Sequence, residues 1–254
     1  MDTTRSGPLF DEISMANVPQ SPPWKRAMDI AFCLTALPFL ALFTLLGAIM
    51  MKLTSPGPIF FRQERVGYRG RRFKIYKFRT MKAGADAAAH QAYLKSLINS
   101  NAPMAKLDKG GDSRLVPGAS LLRASGLDEL PQIINVLRGE MSLVGPRPCL
   151  AYEYEQYLPW QRERFNTMPG LTGLWQVSGK NRTTFEEMVR LDIRYVRTKS
   201  FWLDVKIILL TVPALIVQIY DTKIGKRPPE LPGRLTSTPF PTRTTDQTAA
   251  ASAK

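Results

Sequence analysis

The sequence predicts a compact α/β (α+β) domain associated with a membrane, carrying an N-terminal re-entrant membrane helix and interfacial helices. Three features of the chain lead to that fold class. Residues 30–51 hold no charged side chain over 22 positions, a length of about 33 Å as a helix and enough to cross a bilayer core. Apolar and basic residues alternate in FKIYKFRTM, the pattern of a half-buried strand. Apolar residues return at helical spacing at Ile133, Ile134 and Leu137, and again at Phe185, Met188, Val189, Tyr195 and Val196.

Composition sets the outer limits. A chain of 254 residues with 44% hydrophobic content can bury one substantial core. Its formal charge of +14 implies an anionic partner, with nucleic acid, anionic headgroups and phosphorylated small molecules all qualifying. Cys33 lies in the apolar run and Cys149 follows a proline-rich turn, which suits a reducing setting without a disulfide frame. His90 is the one histidine, in an alanine-rich helical stretch, so a Ser-His-Asp triad or a histidine-rich zinc site has no basis.

In chain order, residues 1–23 show no periodicity and are expected to be a disordered tail. Residues 24–52 form the membrane helix. Its apolar run is long, starts at residue 30 and lacks a following small-residue cleavage site, so a removable signal peptide fits poorly. Both flanks are basic: Lys25 and Arg26 precede the run, and Lys52 and a dense basic tract follow it. The positive-inside rule therefore favours both ends on the cytoplasmic side, and Pro38 supplies the break that a helix entering and leaving one leaflet needs. The alternative is a simple span, since straight-through helices also tolerate proline.

Residues 53–220 form the main domain. TSPGPIFFRQERVG is a turn followed by a short strand, and Gly67 and Gly70 mark a hairpin into FKIYKFRTM. Nine basic residues and one acidic residue lie between Arg62 and Lys82, a tract suited to anionic headgroups or a diphosphate. Residues 83–99 read as a helix and residues 99–113 as a polar loop. Ser125 and Asp128 are helix-start residues and Gly139 is a stop, so Asp128 and Glu129 begin a helix. An isolated Asp-Glu pair there ordinarily complements the helix dipole and caps free N–H groups. Two arginines give this pair a different context: Arg123 lies five residues before Asp128, and Arg147 is stiffened between Pro146 and Pro148.

Further on, PGLTGLWQVSGKN suggests a turn, a short strand over residues 175–177 and another turn, with Trp175 read as a core residue in preference to a stacking face for a uracil or sugar. Residues 207–220 are apolar, too short to span and interrupted by Pro213, so they are read as an interfacial or core helix. Residues 221–254 are rich in proline, threonine and alanine without periodicity and are expected to be a second disordered tail.

KRAMD, TSPGPIFFRQ, YKFRTM, LDELPQ, RGEMSLVGPRP, PGLTGLWQVSGKN and SFWLDVKI occur in the order seen in the bacterial sugar transferases. These are monotopic polyprenyl-phosphate phosphoglycosyl transferases, and the chain resembles them from about residue 25 to 213, most of all the short members that start exopolysaccharide synthesis with a hexose. The resemblance implies a catalytic domain at the cytoplasmic face of a bacterial inner membrane. It would move a hexose-1-phosphate from a UDP-hexose, glucose or galactose favoured, to undecaprenyl phosphate and release UMP. It further implies that Asp128 is the nucleophile and that Glu129 holds Mg²⁺. Arg123 and Arg147 would meet phosphate or nucleotide, with Lys77 and Arg79 as further candidates from the basic strand. The chemistry suits these residue types, because a carboxylate can form an acyl phosphate once a metal and arginines offset its repulsion from a diphosphate.

Two positions depart from the family pattern. The proline of the membrane helix stands at residue 38, about one turn before its usual place near Leu42, and Gly126 replaces a common serine or threonine. The competing classes are a membrane-tethered nucleic-acid-binding protein, with Phe73, Tyr76 and Phe78 as stacking residues, and a scaffold without catalysis. Neither explains Asp128, Glu129 and the prolines around Arg147. No nucleic-acid partner is expected, and the chain has no Walker loop or Gly-x-Gly-x-x-Gly sequence.

Overall fold

The computed structural model describes residues 21–54, 57–82, 88–98, 100, 102–104, 115–116 and 119–224. Most of the two expected tails and of the 99–113 loop lies outside the described residues. Of the tails, residues 21–23 and 221–224 are described, and Pro23 and residues 221–224 belong to helices, so helix extends past both expected tail boundaries.

Helix α1 (Pro23–Thr54) is one 32-residue element that continues through Pro38. Lys25, Asp29, Cys33 and Leu40 are buried and recur every three to four residues together with the partly buried Ala36, forming one inward stripe. Phe32, Leu34, Phe39, Leu42, Leu45 and Leu46 remain exposed on its other sides. The stripe holds α1 against the domain from Lys25 to Leu40. Near its start, Arg26 donates to the carbonyls of Val136 (2.5 Å) and Leu137 (2.7 Å). Near its far end, a Cβ at Gly47 would meet the Phe78 ring at 3.8 Å.

Strands β1 (Phe60–Val66) and β2 (Arg72–Phe78) form the predicted antiparallel hairpin, with Phe60 opposite Phe78 and Val66 opposite Arg72. Its turn is a 3-10 segment, Tyr68–Gly70. The strand does not carry all its basic residues on one face. Arg72 and Lys74 point to solvent, whereas Lys77 and Arg79 share the inward register of Phe73 and Ile75. The side chain of Asn135 serves β2 as a strand partner would: it accepts from Tyr76 N (3.1 Å) and donates to Lys74 O (2.8 Å).

Helix α2 (Ala88–Ile98) contains His90 in its backbone, and α3 (Ala119–Ser125) leads into a 3-10 turn, Leu127–Gln132, that continues as α4 (Ile133–Leu137). Ser125 is therefore the end of one helix rather than the start of the next, and its hydroxyl donates back to Leu122 O (3.1 Å). A short parallel pair follows, β3 (Ser142–Val144) with β4 (Gly170–Thr172), separated by α5 (Ala151–Gln156) and a 3-10 helix, Pro159–Phe165. Residues 174–177 form the short helix α6 (Leu174–Val177), correcting the strand expected there. Trp175 is buried as expected, its Nε1 donating to Thr183 Oγ1 at 2.7 Å.

Helix α7 (Phe185–Thr198) buries Phe185, Met188, Val189, Asp192 and Tyr195 of the face expected from the sequence, with Ile193 added and Val196 half-buried. Thr184 caps it, accepting from Glu187 N at 3.2 Å while Glu187 answers with a bond from Thr184 N at 2.8 Å. Helix α8 spans Phe201–Ile224. Its apolar part, Phe201–Tyr220, is 20 residues long, so the element expected over residues 207–220 is longer than read and reaches spanning length. Asp204 and Lys206 hid its start. Asp204, Thr211 and Gln218, seven residues apart, all bond to the main domain, while Leu209, Val212 and Ile216 are exposed. By length and composition α1 and α8 are both candidate membrane spans. The fold is thus mixed helix and strand, mostly helical, with two small two-stranded sheets among the described residues.

Candidate active site

Asp128 and Glu129 sit in the first turn of the 3-10 segment, where no side chain caps the N-terminus. Gly126 makes the turn possible. It has φ +71°, and a Cβ there would stand 3.3 Å from Leu215 Cδ2, so conformation and space both favour glycine. The backbone closes with Glu129 N donating to Gly126 O at 3.0 Å. Asp128 is buried, and the Glu129 side chain is one-fifth exposed.

Glu129 is gripped from two elements. Lys77 Nζ, on β2, donates to its Oε1 at 2.7 Å. Arg147 donates through NH2 to Oε1 at 3.1 Å and through NH1 to Oε2 at 3.3 Å. Burial alone would raise the pKa of Glu129, but Arg147, Lys77 and Lys180 outweigh it and hold the carboxyl well below the usual range. Burial lowers Lys77 to about 8, with Glu129 opposing and Arg147 and Arg65 reinforcing the shift. Arg147 moves upward, because the Glu129 charge exceeds the cost of burial. Both Lys77 and Arg147 also feel the charge of Asp128.

The loop carrying Arg147 is fixed from beneath. Arg164, almost fully buried, donates to Arg147 O (3.0 Å) and to Asp192 Oδ2 (2.5 Å), and also bonds the Tyr157 hydroxyl. Gly145 approaches the neighbouring strand so closely that a Cβ would fall 2.2 Å from Met168 O. Arg65 donates to Pro148 O at 3.4 Å on the loop's other side. Arg147 is therefore presented by a loop held by prolines, a buried arginine and close backbone packing.

Of the residues expected at the site, Asp128, Glu129, Lys77 and Arg147 come together directly. Arg123 and Arg79 lie on the adjoining side: Arg123 NH1 donates to Thr80 Oγ1 at 3.4 Å, and the buried Arg79 guanidinium packs where a Cβ at Gly57 would stand. Arg65, Arg164 and Lys180 were not read from the sequence as site residues. Lys180 lies in the quoted SGKN segment, so its motif was a usable signal. Arg65 and Arg164 had no signal beyond their charge. The stacking platform of the nucleic-acid alternative does not form. Phe78 is buried against Phe60 with centroids 5.7 Å apart, and Tyr76 lies between Arg62 and Arg138.

Two adjacent carboxylates ringed by cations can divide labour: Glu129 keeps its charge in an ion-pair clamp, and a neighbouring carboxylate is a residue type that can act as a nucleophile. The same cations can receive a diphosphate. A profile of the bacterial sugar transferases matches residues 20–218. A galactosyl transferase, CpsE, of Streptococcus agalactiae serotype III (strain NEM316) is 43% identical over 162 residues, covering 63% of this chain and 35% of its own. A UDP-glucose:undecaprenyl-phosphate glucose-1-phosphate transferase of Caulobacter vibrioides is 43% identical over 202 residues, covering 76% of this chain and 69% of its own. The exopolysaccharide production protein ExoY of Sinorhizobium fredii (strain NBRC 101917 / NGR234) is 36% identical over 191 residues, covering 75% and 84%. This chain thus spans about a third of the streptococcal protein and most of the other two, and its seven ordered motifs and clamped carboxylate pair agree with the profile match: it belongs to the bacterial sugar transferase family.

Proposed function

We propose that this protein is an undecaprenyl-phosphate hexose-1-phosphate transferase that starts exopolysaccharide synthesis, taking its sugar from a UDP-hexose, glucose or galactose favoured. The observation that carries the reading is the Asp128-Glu129 pair with Lys77 and Arg147 closed on Glu129. In the first half-reaction an Asp128 carboxylate oxygen attacks the phosphorus that bears the sugar. An O–P bond forms, the bond from that phosphorus to the bridging oxygen breaks, and UMP leaves with that oxygen. In the second, a phosphate oxygen of the lipid attacks the same phosphorus and frees Asp128. Lys77, Arg147 and the neighbouring Arg123 and Arg79 offset the charge that carboxylate and diphosphate bring together.

The residues suit Mg²⁺. No group of three or more histidine, cysteine or acidic side chains with metal-binding arrangement occurs among the described residues, but Mg²⁺ is commonly held by one or two carboxylates plus substrate phosphates and water. Glu129, kept ionised by its neighbours, would be the protein ligand. The ion would neutralise diphosphate charge.

A lipid substrate calls for a membrane-bound site. The exposed apolar sides of α1 and α8 support attachment, and the inward stripe of α1 supports a helix with both ends on the cytoplasmic side of the inner membrane. A helix crossing to the far side would carry one end about 30 Å from the domain, whereas Arg26 and Gly47 both meet it. Labelling of Ser21→Cys and Lys52→Cys with an impermeant thiol reagent tests this placement. Reaction of both from one side is expected, and reaction from opposite sides would reject it.

The transferase reading is tested by UMP release from detergent-purified protein with Mg²⁺, undecaprenyl phosphate and a panel of UDP-sugars. Lipid-dependent UMP from one sugar names the donor. Silence of the folded protein with every sugar would refute the activity.

A further inference from the structure

Gln218 is a polar residue in the apolar second half of α8, and its amide reaches two parts of the site at once. Its Nε2 donates to the carbonyls of Arg123 (3.2 Å) and Ala124 (2.9 Å), and its Oε1 accepts from Lys180 Nζ (3.2 Å). Carbonyls in the last turn of a helix lack intrahelical partners, and here a side chain from a distant helix supplies two of them. Immediately afterward the chain turns at Gly126 and presents Asp128 and Glu129. Leu215, one turn earlier in α8, closes on that same glycine. Lys180, the other partner, is one of the cations that hold the Glu129 carboxyl down.

Gln218 is half-buried at a helix contact, where an amide is costly unless its bonds are made, and an apolar side chain would serve simple packing as it does along most of α8. What distinguishes Gln218 is where its bonds go. Two fix the backbone that leads to the nucleophile, and the third holds Lys180, whose charge acts on the neighbouring carboxylate. We propose that Gln218 is a positioning residue for phosphosugar transfer: the bonds it donates to Arg123 O and Ala124 O set where the Asp128 turn begins, and hence the line of attack of Asp128. The role rests on the transferase reading above. It also makes α8 part of the active-site framework as well as a membrane-facing helix.

The test is the burst of UMP in rapid-quench experiments with UDP-hexose, Mg²⁺ and no lipid acceptor. The amplitude counts competent sites, and the rate constant reports attack by Asp128. Gln218→Leu keeps the bulk and loses all three bonds. Gln218→Glu keeps the acceptor for Lys180 and loses both donors. Misplacing a reacting group by about 1 Å can cost on the order of 10²-fold, so both variants are expected to slow the burst by roughly tenfold or more while the KM for donor stays near the wild-type value. A fold-only role would lower amplitude and melting temperature and leave the rate constant of the surviving sites unchanged. A burst rate within about twofold of wild type in either variant that gives a burst, whatever its amplitude, overturns the proposal. A folded wild-type protein that releases no UMP from any sugar instead overturns the transferase reading, and this role with it.

Discussion

Arg147 meets Glu129 at two points, NH1 to Oε2 at 3.3 Å and NH2 to Oε1 at 3.1 Å, and Lys77 shares Oε1 at 2.7 Å. Both oxygens proposed to serve Mg²⁺ are therefore already paired with cations, so metal and diphosphate should enter together, each releasing partners of the other. Glu129→Gln removes the negative charge and frees Lys77 and Arg147. Turnover with Mg²⁺ is expected to fall by roughly 10²-fold or more. Binding of UDP without metal, measured by calorimetry, should become tighter than in wild type. Weaker metal-free binding would mean that the clamp organises the two cations instead of competing for them.

Asp128 is buried at a turn whose N-terminus carries no side-chain cap. Asparagine keeps the size and shape of that side chain, and Asp128→Asn should leave the melting temperature within a few degrees of wild type. The same change should abolish the UMP burst and the phosphosugar adduct that intact-protein mass spectrometry would detect on wild type incubated with donor alone. An undiminished burst in the asparagine protein would remove Asp128 as nucleophile.

Lys77 predicts opposite pH trends in binding and stability. Its pKa lies near 8, against an ordinary value of 10.5, because burial outweighs the attraction of Glu129. Below about 8 the ammonium is present for phosphate, so donor affinity without added metal should decline as pH rises through that value. Stability moves the other way. Between about 8 and 10.4 the unfolded chain binds the proton that the folded chain has released, so this lysine's contribution to folding stability rises with pH. Lys77→Arg should remove the inflection in binding, since guanidinium stays charged throughout. An inflection that persists in the arginine variant would assign it to another group.

The legible parts of this molecule were those in which short spacing carries the information. The hairpin, the helix over residues 185–198 and the buried Trp175 followed from periodicity and turn residues, and the ordered motifs singled out Arg147 and Glu129 without their mutual contact. Residues 174–177 were misread because four residues are too few to display a period, and Trp and Val favour strands in isolation. The start of α8 lies ahead of the apolar run read at 207–220 because Asp204 and Lys206 interrupt its apolar character, although Asp204 is buried against the domain. Arg164 could not be found at all. Its meaning comes from Asp192, 28 residues away, and from the Arg147 carbonyl. Gln218 reaches 94 and 95 residues back to α3, a pairing that no local pattern announces.

Lys25 and Asp204 join the first turns of the two long apolar helices in a fully buried ion pair, with the Tyr195 hydroxyl accepting from the lysine at 2.9 Å and donating to Asp204 Oδ1 at 2.7 Å. Tyr195 also reaches Val144 O at 3.1 Å, so the pair is tied to β3 behind the Arg147 loop. Removing one member of a buried pair strands the other charge, at a cost of about 3–5 kcal/mol. Lys25→Met and Asp204→Asn should each destabilise the protein by that order, measured by denaturation in detergent. Replacing both should cost less than the sum, because no uncompensated charge remains. Losses that simply add would mean that Lys25 and Asp204 act independently, and that each helix is seated by its own apolar stripe rather than by this shared contact.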